Sequence, residues 1–167
     1  MRCISVDYGG TLSAPNTHVD PVLGQRPVDP RAIIAVRELH DLDYALALSS
    51  NNRPGQDRSL ALRQAGIEDM FDAVVTSEEV GVGKPAREFY RRVIATFGVP
   101  PDQVMSVGNN LTNDVVGALQ YGFGGAVLIR HDGALRTGEV LPAGAVMITH
   151  IDELADLLRR SPWPLRP

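Results

Sequence analysis

Cysteine is all but missing from this chain of 167 residues: Cys3 stands alone. No disulfide can form within it, and the apolar run around Cys3 marks a buried structural thiol. Long hydrophobic runs are missing too. No stretch approaches the ~18 apolar residues of a membrane helix, and Asp7 interrupts the N-terminal apolar run before a secretory signal could develop. A soluble, cytoplasmic protein without a membrane partner is expected. There is no basic stripe either: the net charge is −4, with both signs mixed along the chain, which argues against nucleic acid as a partner. Lysine is as scarce as cysteine, because every Lys-or-Arg position except Lys84 is arginine. A single lysine in an arginine-using chain asks what a guanidinium could not do at that position.

What remains is ordinary globular composition, 44% hydrophobic and 22% charged, which excludes a disordered chain. The length suits one domain, residues 1–160, followed by a Pro-rich tail at 161–167. Residues 2–6 form a short apolar run ending at Asp7 and read as a buried strand. Residues 9–29 are rich in Gly, Pro, Asn and Asp and read as a long loop or flap. A helix is predicted over 30–40, with Asp29 as N-cap and Pro30 at its first position. Strands follow at 44–49, 73–76, 104–107, 125–129 and 146–149. Helices are predicted at 57–65, 85–97, 111–121 and 151–160. Alternating strands and helices of this size specify an α/β fold, a three-layer doubly wound parallel sheet with helices on both faces. Such sheets bind ligands beyond the carboxyl ends of their strands. Asp7, Ser50 and Asn109 lie at those ends.

Four segments carry a family resemblance. Asp7-Tyr8-Gly9-Gly10-Thr11-Leu12 follows an apolar strand, and Ser50-Asn51 ends the next one. Lys84-Pro85 precedes a helix, and Gly108-Asn109-Asn110-Leu111-Thr112-Asn113-Asp114 follows a later strand. In order and context they resemble the four motifs of the haloacid-dehalogenase-like (HAD) hydrolases, across nearly the whole chain. The resemblance implies a Rossmann-type core and hydrolysis of a phosphorylated substrate. Asp7 would be the nucleophile that carries a transient phosphoryl group, and Ser50 would donate a hydrogen bond to a phosphoryl oxygen. Lys84 would bring a compact positive charge to both, and Asp114 would hold either the metal's water shell or Lys84. Gly9, Gly10 and Asn51 are the candidate substrate-binding positions. Mg²⁺ is the implied cofactor, with Asp7, the Gly9 carbonyl and Asn109 as ligands.

Two departures alter that expectation. The family's second aspartate, the general acid and base, is Gly9 here, so turnover of simple monoesters should be weak. The acidic residue that opens the fourth motif is Asn109, which keeps an oxygen donor and loses a charge. Phosphonate and haloacid hydrolases of the superfamily also lack the second aspartate, so Gly9 is compatible with an active site. His18 and Asp20 in the flap are candidate replacements by location alone. The remaining histidines, His40, His131 and His150, read as surface or turn residues without metal-ligand spacing.

Alternatives accompany each site residue. Ser50 fits turn chemistry, with Ser49 as its register alternative, and Asn109 fits a strand-end hydrogen bond. Asp114 suits the first turn of a helix on dipole grounds alone. Gly81-Val82-Gly83-Lys84 lacks the hydroxyl residue and upstream glycine of a phosphate loop. No sizeable cap domain fits between the motifs. An open site favours a bulky substrate, or closure by a second copy in a homo-oligomer. The rival reading is a degenerate domain that binds a ligand or partner without turnover.

Overall fold

The computed structural model describes residues 2–13 and 15–160; the Pro-rich tail at 161–167 lies outside them. Six strands form one sheet: β1 (Arg2–Val6), β2 (Tyr44–Ser50), β3 (Ala73–Thr76), β4 (Val104–Gly108), β5 (Gly125–Ile129) and β6 (Ala145–Ile148). Their spatial order is β3-β2-β1-β4-β5-β6, and every neighbouring pair is parallel. All six strands match runs expected from the sequence, to within a residue at each end.

The two-residue period of a strand sorts the core into layers. Ile4, Val6, Leu46, Leu48, Met105, Val107, Val127 and Ile129 face one way. Against them pack α1 (Pro30–Asp41), α2 (Arg58–Gln64) and α6 (Leu154–Arg160). Cys3, Ala47, Val75 and Val104 face the other way, onto Phe89, Tyr90, Val93 and Phe97 of α4 (Arg87–Phe97). A sheet covered on both faces has to be apolar on both, which is why its strands read as near-continuous hydrophobic runs. Helix α1 starts as its sequence dictates: the Asp29 side chain accepts from the Arg31 N–H at 2.8 Å, with Pro30 in the first turn.

The chain runs outward from β1 to β2 and β3, then returns to place β4 on the other side of β1. The order therefore reverses between β1 and β4, and the crevice at their carboxyl ends is where such sheets hold ligands. Asp7 follows β1 there, and Asn109 follows β4.

Three local departures shape this rim. Helix α4 begins at Arg87 rather than Pro85, because residues 83–86 close a turn in which the Ala86 N–H bonds the Gly83 carbonyl at 2.9 Å. Residues 111–121 are not one α-helix: Leu111–Val116 is a π-helical turn that leads into α5 (Gly117–Tyr121). The Tyr90 hydroxyl donates to the Asn113 carbonyl at 2.5 Å. An outside donor that takes a helix carbonyl widens the ladder there. A short helix that the sequence pattern did not announce, α3 (Ser77–Val80), follows β3 with Thr76 as its N-cap. Among the described residues the flap carries two isolated bridges, Ser13 to Val28 and Asp20 to Gln25, and no large cap covers the sheet's rim.

Candidate active site

Lys84 is the centre of the site. Its side chain is only 3% exposed, and its ammonium makes three contacts. Nζ lies 3.0 Å from Asp7 Oδ1, 2.6 Å from Asp114 Oδ1 and 2.8 Å from the Ser49 carbonyl. Each element delivers one part: Asp7 from the end of β1, Ser49 from β2, Asp114 from the turn after β4. Asn51 fixes the lysine's backbone, since its Oδ1 accepts from the Lys84 N–H and its Nδ2 donates to the Lys84 carbonyl, both at 2.8 Å. Gly83 makes that approach possible, because a Cβ there would stand 2.5 Å from Asn51 Oδ1.

Burial alone would lower the Lys84 pKa, but the adjacent Asp114 and Asp7 carboxylates outweigh it and hold the group firmly protonated. Asp114 is fully enclosed. Burial pushes its carboxyl up to about 6, against the opposing pull of Lys84. Its second oxygen, Oδ2, accepts from the Asn110 N–H at 2.9 Å, so both oxygens are engaged. Gly108 is glycine for a packing reason: a Cβ would meet the Asp114 carboxyl carbon at 2.2 Å. Asp7 is the most open of the three, with 12% of its side chain exposed. Its Oδ2 has no hydrogen-bond partner among the described residues.

Ser50 lies apart from this trio in one respect. Its hydroxyl is fully buried and accepts from Arg58 Nε at 3.0 Å. Ser49, the register alternative, turns to the opposite face, where its hydroxyl accepts from Ser5 at 2.7 Å. Gly9 is open: a Cβ built there meets nothing within 4 Å. Gly10 adopts φ +70°, and a Cβ there would press on the Asn109 amide at 2.2 Å. The Asn109 carbonyl accepts from Arg130, whose guanidinium also forks onto Glu139 at 2.7 and 2.9 Å.

The flap candidates do not reach the site. Asp20 is spent on its own turn, accepting from the Val22 and Leu23 N–H groups at 2.8 and 3.1 Å, and His18 lies exposed on the flap. His131 is the histidine beside the motif residues, its Nε2 3.0 Å from the Gly10 carbonyl. His150, read from sequence as a surface or turn residue, is buried between Asp29 and Asp152.

Sequence reading missed Arg58. It sits in the first turn of α2, where the helix dipole disfavours a cation, and that misplacement was the available signal. Its guanidinium is buried, stacks 4.3 Å over the Tyr8 ring and bonds Ser50, Gln25 and Gln56. Tyr8 in turn donates to the Arg26 carbonyl at 2.7 Å, and burial raises its phenol pKa to about 12.

A family model for the haloacid dehalogenase-like hydrolases matches residues 5–122, from inside β1 to just past α5. The chain belongs to that family. HAD phosphatases generally use Mg²⁺. Phosphoserine phosphatase of Thermus thermophilus is 38% identical over 92 residues, covering 55% of this chain and 36% of that protein. Glyceraldehyde 3-phosphate phosphatase of Methanothermobacter thermautotrophicus is 27% identical over 128 residues, covering 77% and 56%. The chain thus spans between about a third and somewhat over half the length of these curated relatives. A HAD phosphatase structure from Thermococcus onnurineus superposes with a TM-score of 0.65 at 29% identity, over 78% of this chain and 58% of that one. A protein of Listeria monocytogenes shares the fold nearly end to end, with a TM-score of 0.79 at 20% identity, over 96% and 98%.

The donors present can be weighed against Mg²⁺ directly. Asp7 Oδ2, the Gly9 carbonyl and the Asn109 amide are hard oxygens, as the ion requires, but only one of them is charged. Among the described residues no group of three or more His, Cys, Asp or Glu side chains could hold a metal. Mg²⁺ is commonly held by one or two carboxylates together with substrate phosphate oxygens. The set fits the ion on those terms, as a weak site completed by the substrate.

Proposed function

We propose that this HAD-family chain hydrolyses a phosphorylated compound through a transient phosphoryl group on Asp7. The observation that carries this reading is the ammonium of Lys84 held between Asp7 and Asp114 at the sheet's switch point. A carboxylate oxygen of Asp7 attacks phosphorus as the ester P–O bond breaks. The leaving oxygen departs with the bonding pair and takes its proton from solvent, because residue 9 has no side chain to supply one. Water then attacks the same phosphorus and the bond to Asp7 breaks, releasing inorganic phosphate and restoring the carboxylate.

Phosphoryl transfer needs alignment and charge neutralisation above all. Lys84 supplies a fixed positive charge in a water-poor setting and holds Asp7 oriented. Asp114 has no access to substrate in this arrangement; it positions Lys84. The Ser50 hydroxyl lies buried against Arg58, and it donates to a phosphoryl oxygen only once substrate opens that contact. Asn51 acts through the Lys84 backbone. Mg²⁺, held by Asp7, the Gly9 carbonyl and Asn109, would supply further neutralisation of the phosphoryl oxygens. The missing acid favours substrates with a good leaving group, and the uncapped rim leaves room for a bulky one.

The test is phosphate release from a panel of phosphomonoesters by the native chain, Asp7→Asn and Gly9→Asp. Activity lost in Asp7→Asn supports the reading. Space around residue 9 admits the new carboxylate, so Gly9→Asp should raise turnover of simple monoesters by roughly 10²–10⁴-fold. Activity that survives in Asp7→Asn would refute the covalent route. A second reading rests on Gly9 and Asn109, two acids fewer than the motif carries: a domain that binds a ligand without turnover. It predicts a silent native chain that still binds phosphate compounds.

A further inference from the structure

Beside Asp7, beyond Gly9 and Gly10, lies a cavity of about 540 Å³, a volume in the range of small-ligand sites. Its charged lining is of one sign. Arg26, Arg53 and Arg58 face it, with the His131 ring beside them, and no Asp or Glu does. That is a sharp local exception in a chain with 20 acidic residues against 16 basic ones. The three cavity arginines have no carboxylate partner among the described residues. Exposed arginines elsewhere, such as Arg37, Arg87 and Arg92, share that lack, so what sets this group apart is its convergence on one cavity around a buried member, Arg58. Arg58 makes the point most strongly, because it is buried and its partners are all neutral: Ser50, Gln25 and Gln56. A buried cation normally has a counter-ion. The nearest one inside the protein is Asp7, which Lys84 already holds.

We propose that the substrate carries a second anionic group, a phosphate or a carboxylate, which seats against Arg26 and Arg53 in this cavity; this rests on the phosphoryl-transfer reading of Asp7. The planar forks of arginine match both oxyanions. The layout places the scissile phosphate at Lys84 and Asp7, with the rest of the substrate running past Gly9 toward the arginines. The absence of a cap is then consistent with selectivity, since the flap base and the start of α2 supply the recognition that a cap would otherwise provide. Arg58 takes a double part: it positions the Ser50 hydroxyl and contributes to the positive field of the cavity.

The experiment compares matched pairs of phosphomonoesters that differ by one anionic group: glycerol phosphate against phosphoglycerate, and fructose monophosphate against fructose bisphosphate. The native chain should favour the doubly anionic member of at least one pair by about tenfold or more in kcat/KM, chiefly through KM. The pair that responds tells a carboxylate from a phosphate. In the exposed double variant Arg26→Ala/Arg53→Ala that ratio should fall to about twofold or less. A ratio near one in the native chain, or one that persists in the double variant, overturns the proposal.

Calorimetric titration of the same four compounds into Asp7→Asn separates the two claims. If the native chain releases no phosphate, but the doubly anionic compounds bind Asp7→Asn more tightly and lose that advantage when Arg26 and Arg53 are also replaced, the cavity stands and the phosphoryl-transfer reading fails. If phosphate is released with no preference by either measure, the cavity proposal fails and the phosphoryl-transfer reading stands.

Discussion

Two buried cations flank the carboxyl end of β2, and they are solved differently. Lys84 reaches the rim with two carboxylates and a carbonyl around its ammonium, a complete ionic set inside the protein. Arg58, on the other face, has a hydroxyl and two amides, with no carboxylate in contact. The first arrangement is preorganised, its cation fully countered by carboxylates before any ligand arrives. The second holds charge in reserve, and burial pulls its pKa down, with Asp7 and Tyr8 opposing. On the proposed reading, the contrast is between one cation that serves the chemistry and another that serves recognition.

Several substitutions would break or sharpen that contrast. The largest effect is expected at the nucleophile: Asp7→Asn should abolish phosphate release while the chain still unfolds cooperatively, a split that a rapid activity assay and a thermal melt measure together. Next comes Lys84→Met, which leaves Asp7 and Asp114 buried without their counter-ion. It should cost about 3–5 kcal/mol of stability by denaturant titration, and Lys84→Arg should rescue little, because a planar fork does not fit between the two carboxylates. Gly108→Ala should cost about 1–3 kcal/mol by the same measurement, because the added Cβ presses directly on Asp114. Asn109→Asp restores a charged oxygen and should tighten Mg²⁺ binding by on the order of tenfold in a metal titration. The smallest cost belongs to Arg58→Met, about 1–2 kcal/mol, since only neutral partners are stranded. If Arg58→Met proved as damaging to stability as Lys84→Met, the contrast between the two cations would fail.

The sheet and its rim were legible because apolar runs of four to seven residues, each ended by a polar residue or glycine, mark buried parallel strands without help from tertiary context. Asp7, Ser50, Lys84 and Asn109 could be placed at strand or helix ends for the same reason. The roles of Asn51 and Asp114 were harder, because they depend on where a backbone returns in space. Nothing in the local pattern says that Asn51 clasps residue 84, or that Gly108 exists to admit the Asp114 carboxylate. The π-helical turn was invisible because its cause, the Tyr90 hydroxyl, lies more than twenty residues away on α4. The burial of His150 was not legible, since Asp29 meets it from 121 residues away, while only Asp152 is its neighbour in sequence. Arg58 was overlooked because its one signal, a cation in the first turn of α2, is weak until the Tyr8 ring is placed beneath it.

The most direct measurement is to quench the chain in acid during turnover of a labelled phosphomonoester and map the bound label. One phosphoryl group on the peptide that contains Asp7, released by hydroxylamine and absent from Asp7→Asn, is the result expected. Steady phosphate release with no label, or with the label on another residue, would contradict the account.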